Sequence, residues 1–304
     1  METLTFENCG VITVPCQRLV DRYLWTSQHL ELSDAAYRLL KAFIKKFGSK
    51  GESISDVLGS EFPNYKTLTH DASYTPAAVG YSQRQNFELA LVSVYSDFTE
   101  FLEGVLKELF LTKPLLVAGK ASKDSRLAYY EIIELGSWEA VTSKIVANAF
   151  RKLEQQRSTT KLLNDVLDGT DVDVSEPTKE AALAFLELRH LYVHNQGRAD
   201  KDYLERYHHV IKCTEGRKVE LTLKLVTNGL RSVELLARQI SFELLGRGLA
   251  VPATQNMIQN HKDLMRQFGT QISGYSDEIE PEIDSPQIDP LEKLTWRAVI
   301  ASQI

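Results

Sequence analysis

Hydrophobic residues between positions 82 and 110 recur at spacings of three and four along the chain. This spacing places them on one face of an α-helix, because an α-helix has about 3.6 residues per turn. The pattern predicts one long amphipathic helix, which ends at Pro114 because proline lacks the N–H that continues a helix. The residues that define this face are Phe87, Leu91, Val94, Tyr95, Phe98, Phe101, Leu102, Val105, Leu106 and Leu109.

Comparable patterns predict helices along most of the remaining chain, so the fold class is mostly α. One helix is predicted over 17–28, and a second begins at Ser33 and Asp34, which can cap a helix start, and stops at Gly48. Short extended segments are predicted within 2–16 and over Lys218–Leu223. The other predicted helices cover 124–135, 138–156, 158–168, a stretch from Pro177 to Asn195, 200–211 and 225–247.

The loop-forming composition of 60–80 predicts a boundary between an N-terminal helical extension, 1–80, and a helical domain, 81–247. The remaining residues, 248–304, are predicted to hold a C-terminal helix and an acidic tail. Residues 274–290 are acidic and punctuated by proline, which predicts a flexible segment. Two interpretations of this segment stay open: a disordered linker, or a tail that docks in a basic groove of this chain or of another.

Composition is that of a soluble globular protein, with 304 residues, 43% hydrophobic residues and a net charge of −6. This charge argues against a broad surface that coats nucleic acid, but it leaves room for a local basic pocket. Three cysteines without zinc spacing indicate free thiols in a reducing cytoplasm. The first residues do not resemble a signal peptide, and no apolar run approaches the ~18 residues of a membrane span, so no membrane contact is expected.

The candidate chemistry lies at the end of the predicted helix that follows Pro177. Arg189 and His194 are five positions apart, which places them about 140° apart around an ideal helix, whereas His190 and His194 share a face. Arg189 and His194 can therefore serve one site only if the helix unwinds near His194, or if the site is a groove between two helices or two subunits. Asn195 and Gly197 are residues that commonly end helices.

These residue types suit cleavage of RNA without a metal ion. Such a reaction takes a proton from a 2′-hydroxyl and gives one to a leaving oxygen, and histidine performs both transfers near neutral pH. Negative charge grows on the phosphate in the transition state, and arginine binds that charge in a fixed geometry. One arginine and one histidine form half of an acid–base set, and a two-fold dimer would supply the other half.

The segment Arg189-His190-Leu191-Tyr192-Val193-His194-Asn195-Gln196-Gly197 resembles the signature of the HEPN superfamily. The long helix from residue 82, the short piece near 218–223 and the helix over 225–247 also resemble that family, so the resemblance covers roughly residues 80–247. It implies a HEPN-like helical bundle, a homodimer with a composite cleft, and a metal-independent endoribonuclease without cofactor. It also implies an RNA substrate and a toxin, toxin–antitoxin, abortive-infection or other antiphage setting, with an antitoxin or another defence-system protein as partner.

The resemblance assigns roles residue by residue. Arg189 would bind phosphate and His194 would act as acid and base, while His190 and Asn195 would support them. Glu187 is a further supporting candidate. One branch of the family has a tyrosine two residues after the histidine, where a partner nucleotidyltransferase modifies it. Gln196 stands at that position, which puts this mode of regulation in doubt.

Other interpretations of the same residues stay open. Arg189 and His194 could form a helix-terminal salt bridge with Glu187 and His190, or serve a non-catalytic HEPN-type module that binds a protein or a nucleotide. The spacing of His190 and His194 also fits zinc, although a third ligand is not evident. The chain could also be a scaffold or dimerisation domain.

Two further groups of residues have core and functional interpretations. Of His208 and His209, one is expected to be exposed and one packed, with a supporting role near the cleft as the alternative. Tyr192 and Tyr203 are expected in the core, and stacking on a base is their alternative.

Overall fold

The computed structural model describes residues 12–59, 67–120, 127–155 and 158–253. The predicted strand or arm within 2–16 lies mostly outside these ranges, and so do the acidic segment 274–290 and the apolar pattern over 291–304. The described residues contain ten α-helices and one 3₁₀ turn, Ala72–Tyr74. The helices are α1 Val14–Phe47, α2 Ile54–Leu58, α3 Thr75–Thr112, α4 Pro114–Lys120, α5 Tyr129–Leu135, α6 Trp138–Glu154, α7 Thr159–Leu167, α8 Glu176–Asn195, α9 Lys201–Tyr207 and α10 Leu223–Gly246.

The prediction of a mostly α fold is confirmed. Helix α3 is the centre of the bundle, and it packs against α1, α6, α8 and α10. Its predicted apolar face is buried, and Leu91, Val94, Phe98, Leu102 and Leu106 have no exposed surface. One continuous cluster of buried side chains joins these helices, so α8 is held in place along most of its length.

The two helices predicted over 17–28 and from Ser33 are one helix, α1, so that break was wrongly predicted. No glycine or proline stands between Cys16 and Phe47, so nothing forces the helix to end. Asp34 lies inside the helix, where its Oδ2 accepts a 2.7 Å hydrogen bond from Arg38 Nε one turn later. A side chain suited to capping therefore serves here as an intrahelical partner.

The long loop predicted over 60–80 is shorter, because α3 begins at Thr75 with Pro76 in its first turn. Pro114 ends α3 as predicted, and it also begins α4. The division at residue 80 stays a prediction. The N-terminal half of α1 nevertheless packs in the same core cluster as α3 and α10, through Cys16, Leu19, Tyr23 and Leu30.

Both ends of the described chain meet beside α10. Thr13 forms an isolated antiparallel bridge with Pro252, and Ala253 N donates to Ile12 O over 2.8 Å. Thr13 N also donates to the buried hydroxyl of Ser241 over 2.7 Å, which gives this buried polar group a partner. In the part of the chain that is described, no helix has the length and apolar character needed to cross a membrane.

Cys16 lies at the centre of this junction and is expected to be chemically inert in the native protein. Its side chain has no exposed surface, and burial raises the pKa of its thiol to about 12, so the reactive thiolate is scarce. A Cys9→Ser/Cys213→Ser variant, which keeps only Cys16, should not react with a thiol reagent at pH 8 until denaturant unfolds it. Rapid labelling of the folded variant would contradict this burial.

Candidate functional site

Helix α8 runs without a break through His194 and ends at Asn195. The option that the helix unwinds near His194 is therefore wrong, while the predicted end near Asn195 and Gly197 is confirmed. Because α8 stays regular, Arg189 and His194 lie on different sides of it, about 140° apart. A single copy of the chain does not bring these two side chains into one site.

Arg189 is a half-buried cation that faces α3. The carbon at the centre of its guanidinium lies 4.7 Å from the centroid of the Tyr95 ring, which is a cation–π contact. Its Nε is buried and has no hydrogen-bond partner, and no residue of the described ranges forms an ion pair with it. Arg189 therefore has no direct ion-pair partner among the described residues, and such a group can bind an anion.

Glu187 does not pair with Arg189, although the two residues are neighbours on α8. The Glu187 side chain is buried, and its Oε1 accepts a 3.2 Å hydrogen bond from the backbone N–H of Thr159, at the start of α7. The structure thus places Glu187 as a cap for another helix. The helix-terminal salt bridge between Glu187 and Arg189 is absent from the described contacts.

The aromatic partner of Arg189 remains a neutral phenol. Burial raises the pKa of Tyr95, and the negative charges of Glu154 and Glu187 add to this effect, while Arg189 opposes it. Tyr95 therefore presents the face of an uncharged ring to the guanidinium. The sequence pattern predicted Tyr95 only as part of the apolar face of α3. It did not predict the contact with Arg189, because the sequence does not show which residue of α8 packs against Tyr95.

His190 and His194 form an exposed pair on the solvent side of α8. Their ring centroids are 4.7 Å apart, with the rings tilted by 50°. No group of three or more His, Cys, Asp or Glu side chains in the described ranges is arranged to hold a metal ion. The pair is accessible to a substrate and can exchange protons with it.

The turn after α8 fixes the direction of this helix end. Gln196 adopts a left-handed conformation with φ of 54°, and Gly197 N donates to Leu191 O over 2.9 Å. Asn195 supports the turn itself, because its Nδ2 donates to Arg198 O over 3.1 Å. Asn195, predicted to support the catalytic histidine, thus has a local structural partner.

Gly197 is required in this turn for two reasons. Its φ is 77°, and a Cβ placed there would lie 2.8 Å from Cζ of Tyr192. Gly197→Ala should lower the free energy of unfolding by about 2–3 kcal/mol, measured by chemical denaturation. Gly216→Ala is the matched control, because Gly216 has φ of 71° but open space around its Cβ position, and it should cost only about 1 kcal/mol. Equal losses in both variants would contradict the steric contact with Tyr192.

Tyr192 ties the end of α8 to α3 and to the segment before α10. Its hydroxyl donates to Val219 O, and Lys218 Nζ lies 5.0 Å from its ring centroid and 3.0 Å from Glu88 Oε1. Burial and the charge of Glu88 raise the pKa of Tyr192 to about 12. The segment from Lys218 that was predicted to be extended precedes α10, which begins at Leu223. Lys218 forms an isolated bridge with Arg198.

Two further groups of predicted residues lie apart from this site. Tyr203 is buried, and its hydroxyl donates to Ala184 O over 2.8 Å, so it belongs to the core. His208 and His209 are both exposed, so the prediction that one of them is packed is wrong. Both residues follow the end of α9 at Tyr207, and His209 Nε2 lies 3.2 Å from Glu180 Oε2.

Comparison of the chain with protein-family models, with curated proteins and with solved structures finds no match. The functional argument therefore depends on the geometry of α8, which presents a half-buried arginine without a described ion-pair partner and an exposed pair of histidines.

Proposed function

We propose that this chain is a metal-independent endoribonuclease, of the HEPN type that its sequence resembles, whose cleft forms between two copies. One observation carries the proposal. Arg189 is half-buried against Tyr95 and forms no ion pair with a described residue, and the exposed pair His190 and His194 lies on the same helix end. A phosphodiester would supply an ion-pair partner for Arg189, and histidines would supply the proton transfers.

In the proposed cleavage reaction, each histidine and the arginine has one role. His194 of one copy removes the proton of the ribose 2′-hydroxyl, and the 2′-oxygen attacks the adjacent phosphorus. The bond from phosphorus to the 5′-oxygen of the next nucleotide breaks, and a protonated His190 of the same copy, whose ring centroid lies 4.7 Å from that of His194, gives its proton to that oxygen. The products are a 2′,3′-cyclic phosphate and a free 5′-hydroxyl. Arg189 of the other copy holds the phosphate oxygens, which carry most of the charge in the transition state.

The two-copy arrangement follows from the shape of α8. Arg189 and His194 diverge by about 140°, so Arg189 of one copy meets His194 of another more readily than its own. The two helices that carry Tyr95 and Arg189 also present exposed apolar side chains: Leu89 and Val92 on α3 and Val193 on α8 are 67%, 42% and 49% exposed. An exposed apolar group of this kind is typical of a surface that binds another protein.

The biological setting belongs to the proposal as well. An RNA-cleaving chain of this kind would arrest growth as a toxin or antiphage effector in the cytoplasm, and an antitoxin or another defence-system protein would restrain it. Expression of the wild-type chain should then inhibit growth, and His194→Ala should relieve the inhibition.

Cleavage of RNA by purified protein in the presence of a chelator tests the proposal. His194→Ala should lower the cleavage rate by about 10²–10⁴-fold, the contribution of a general acid or base. His208→Ala is the matched control, since His208 is an exposed histidine at the end of α9 and should leave the rate unchanged. Equal rates in His194→Ala and the wild type would overturn the proposal.

A second candidate function is a non-catalytic module that binds a protein or a nucleotide. The contact between Arg189 and Tyr95 favours it, because this contact also gives Arg189 a structural role. The two candidates differ in one result: the module binds its ligand but leaves RNA intact at every concentration of protein.

A further inference from the structure

A concave surface of about 740 Å³ lies between α1, α3 and residues 218–224. We name it the α1–α3 groove. Cationic side chains enter it from three parts of the chain: Arg38 from α1, Arg84 from α3, and Lys218 and Lys224 from the segment that opens α10. The volume is typical of sites that hold small molecules or a few nucleotides.

The positive charge of the groove is only partly neutralised. Arg38 pairs with Asp34 at 2.7 Å, and Lys218 pairs with Glu88 at 3.0 Å. Arg84 and Lys224 form no ion pair with any residue of the described ranges. Glu220 is the remaining carboxylate of the lining. The groove is therefore locally basic in a chain whose net charge is −6.

Lys224 occupies a position where a cation is intrinsically unfavourable. It stands in the first turn of α10, at the positive end of the helix dipole, and this turn contains no acidic residue. Arg84 is exposed and adds a second uncompensated charge to the same groove. A bound polyanion would relieve the repulsion among these side chains.

The groove leads directly to the end of α8. Tyr192 lines it, and Tyr192 stands between Arg189 and His194 in the sequence of that helix. Lys218 covers the Tyr192 ring, so the cationic lining continues up to the helix that carries the candidate site. A strand that follows the groove would arrive beside α8.

We infer that the α1–α3 groove binds the phosphate backbone of single-stranded RNA next to the cleavage site, with Arg84 and Lys224 on successive phosphates. The identity of the ligand as RNA rests on the proposed function. Single-stranded RNA fits better than a duplex, because the groove accommodates a few nucleotides and has an apolar floor that includes Phe87 and Leu221. Helix α1 contributes to this surface, which gives the N-terminal region a role in substrate binding.

Binding of a 2′-O-methyl oligonucleotide of about 12 nucleotides to the full chain tests the inference by fluorescence anisotropy. This probe lacks the 2′-hydroxyl, so it reports binding without cleavage. Arg84→Gln/Lys224→Gln should weaken binding at least ~10-fold and lower the slope of log K against log salt by about 1.4, the value for two lost phosphate contacts. Lys144→Gln/Lys152→Gln removes the same charge from exposed positions on α6 and should keep the affinity within about two-fold.

The outcomes separate this inference from the proposed function. Unchanged affinity in the groove variant, or equal losses in both variants, overturns the inference even if the wild type cleaves RNA. Groove-dependent binding supports it, and if the wild type then cleaves no RNA, only the proposed function fails. A peptide of residues 274–290 that binds through Arg84 and Lys224, with no binding of the oligonucleotide, would assign the groove to an acidic protein segment and overturn the inference.

Discussion

Arg189→Met is expected to lower RNA cleavage by about 10²–10³-fold while the free energy of unfolding changes by no more than about 1 kcal/mol. Methionine keeps an apolar stem over the Tyr95 ring and removes the guanidinium. Because Arg189 Nε has no hydrogen-bond partner, its removal leaves no buried group newly unpaired. Cleavage rates and chemical denaturation of the same preparations measure both effects.

Arg231→Met is the matched control, since Arg231 is an exposed arginine on α10 that has no part in the proposed site. It should keep both the rate and the stability of the wild type. If Arg189→Met unfolds readily and loses activity only in proportion to its unfolded fraction, Arg189 has a structural role and does not bind the phosphate.

Phe185→Ala is expected to lower the free energy of unfolding by about 3–5 kcal/mol. Phe185 is 1% exposed and lies where α8 crosses α10. The two helices approach closely at Gly229, where an added Cβ would lie only 2.2 Å from Cδ2 of Phe185. Loss of the ring would leave a cavity that the flanking helices cannot fill without moving.

Chemical denaturation measures this loss, and Leu32→Ala provides the comparison. Leu32 is an apolar side chain on α1 that is 72% exposed, so its truncation should change the free energy of unfolding by less than about 0.5 kcal/mol. Similar values for the two variants would contradict the packing of α8 on α10.

The hydrophobic pattern predicted the central helix of the fold, because a helix that is buried on one face has apolar residues at spacings of three and four, whereas a strand alternates every two residues. Helix α3 has its predicted face in the core. The break predicted at Ser33 failed for a different reason. Caps are recognised from side chains that can bond the backbone, but Asp34 bonds Arg38 inside a continuous helix instead. Local signals cannot distinguish these alternatives when nothing forces the helix to end.

The candidate site was predictable in part. Its position at the end of α8 and the divergence of Arg189 from His194 both follow from the sequence and the helical period. The contact partners of these residues do not follow from the sequence, because the partners depend on which helices pack against each other. Glu187 bonds Thr159 N of α7, and Arg189 lies over Tyr95 of α3, 94 positions away (189 minus 95). Contacts between positions so far apart in the sequence are not indicated by any periodic pattern of residues.

The most direct test of the central claim, that Arg189 and His194 meet across two copies, is complementation between two inactive variants. Arg189→Met and His194→Ala are mixed one to one under conditions that let subunits exchange. A shared site predicts recovery of about a quarter of the wild-type RNA cleavage, since half of the dimers are mixed and each holds one intact site of two. No recovery, in mixtures shown to contain mixed dimers, would contradict a site that is built from both copies.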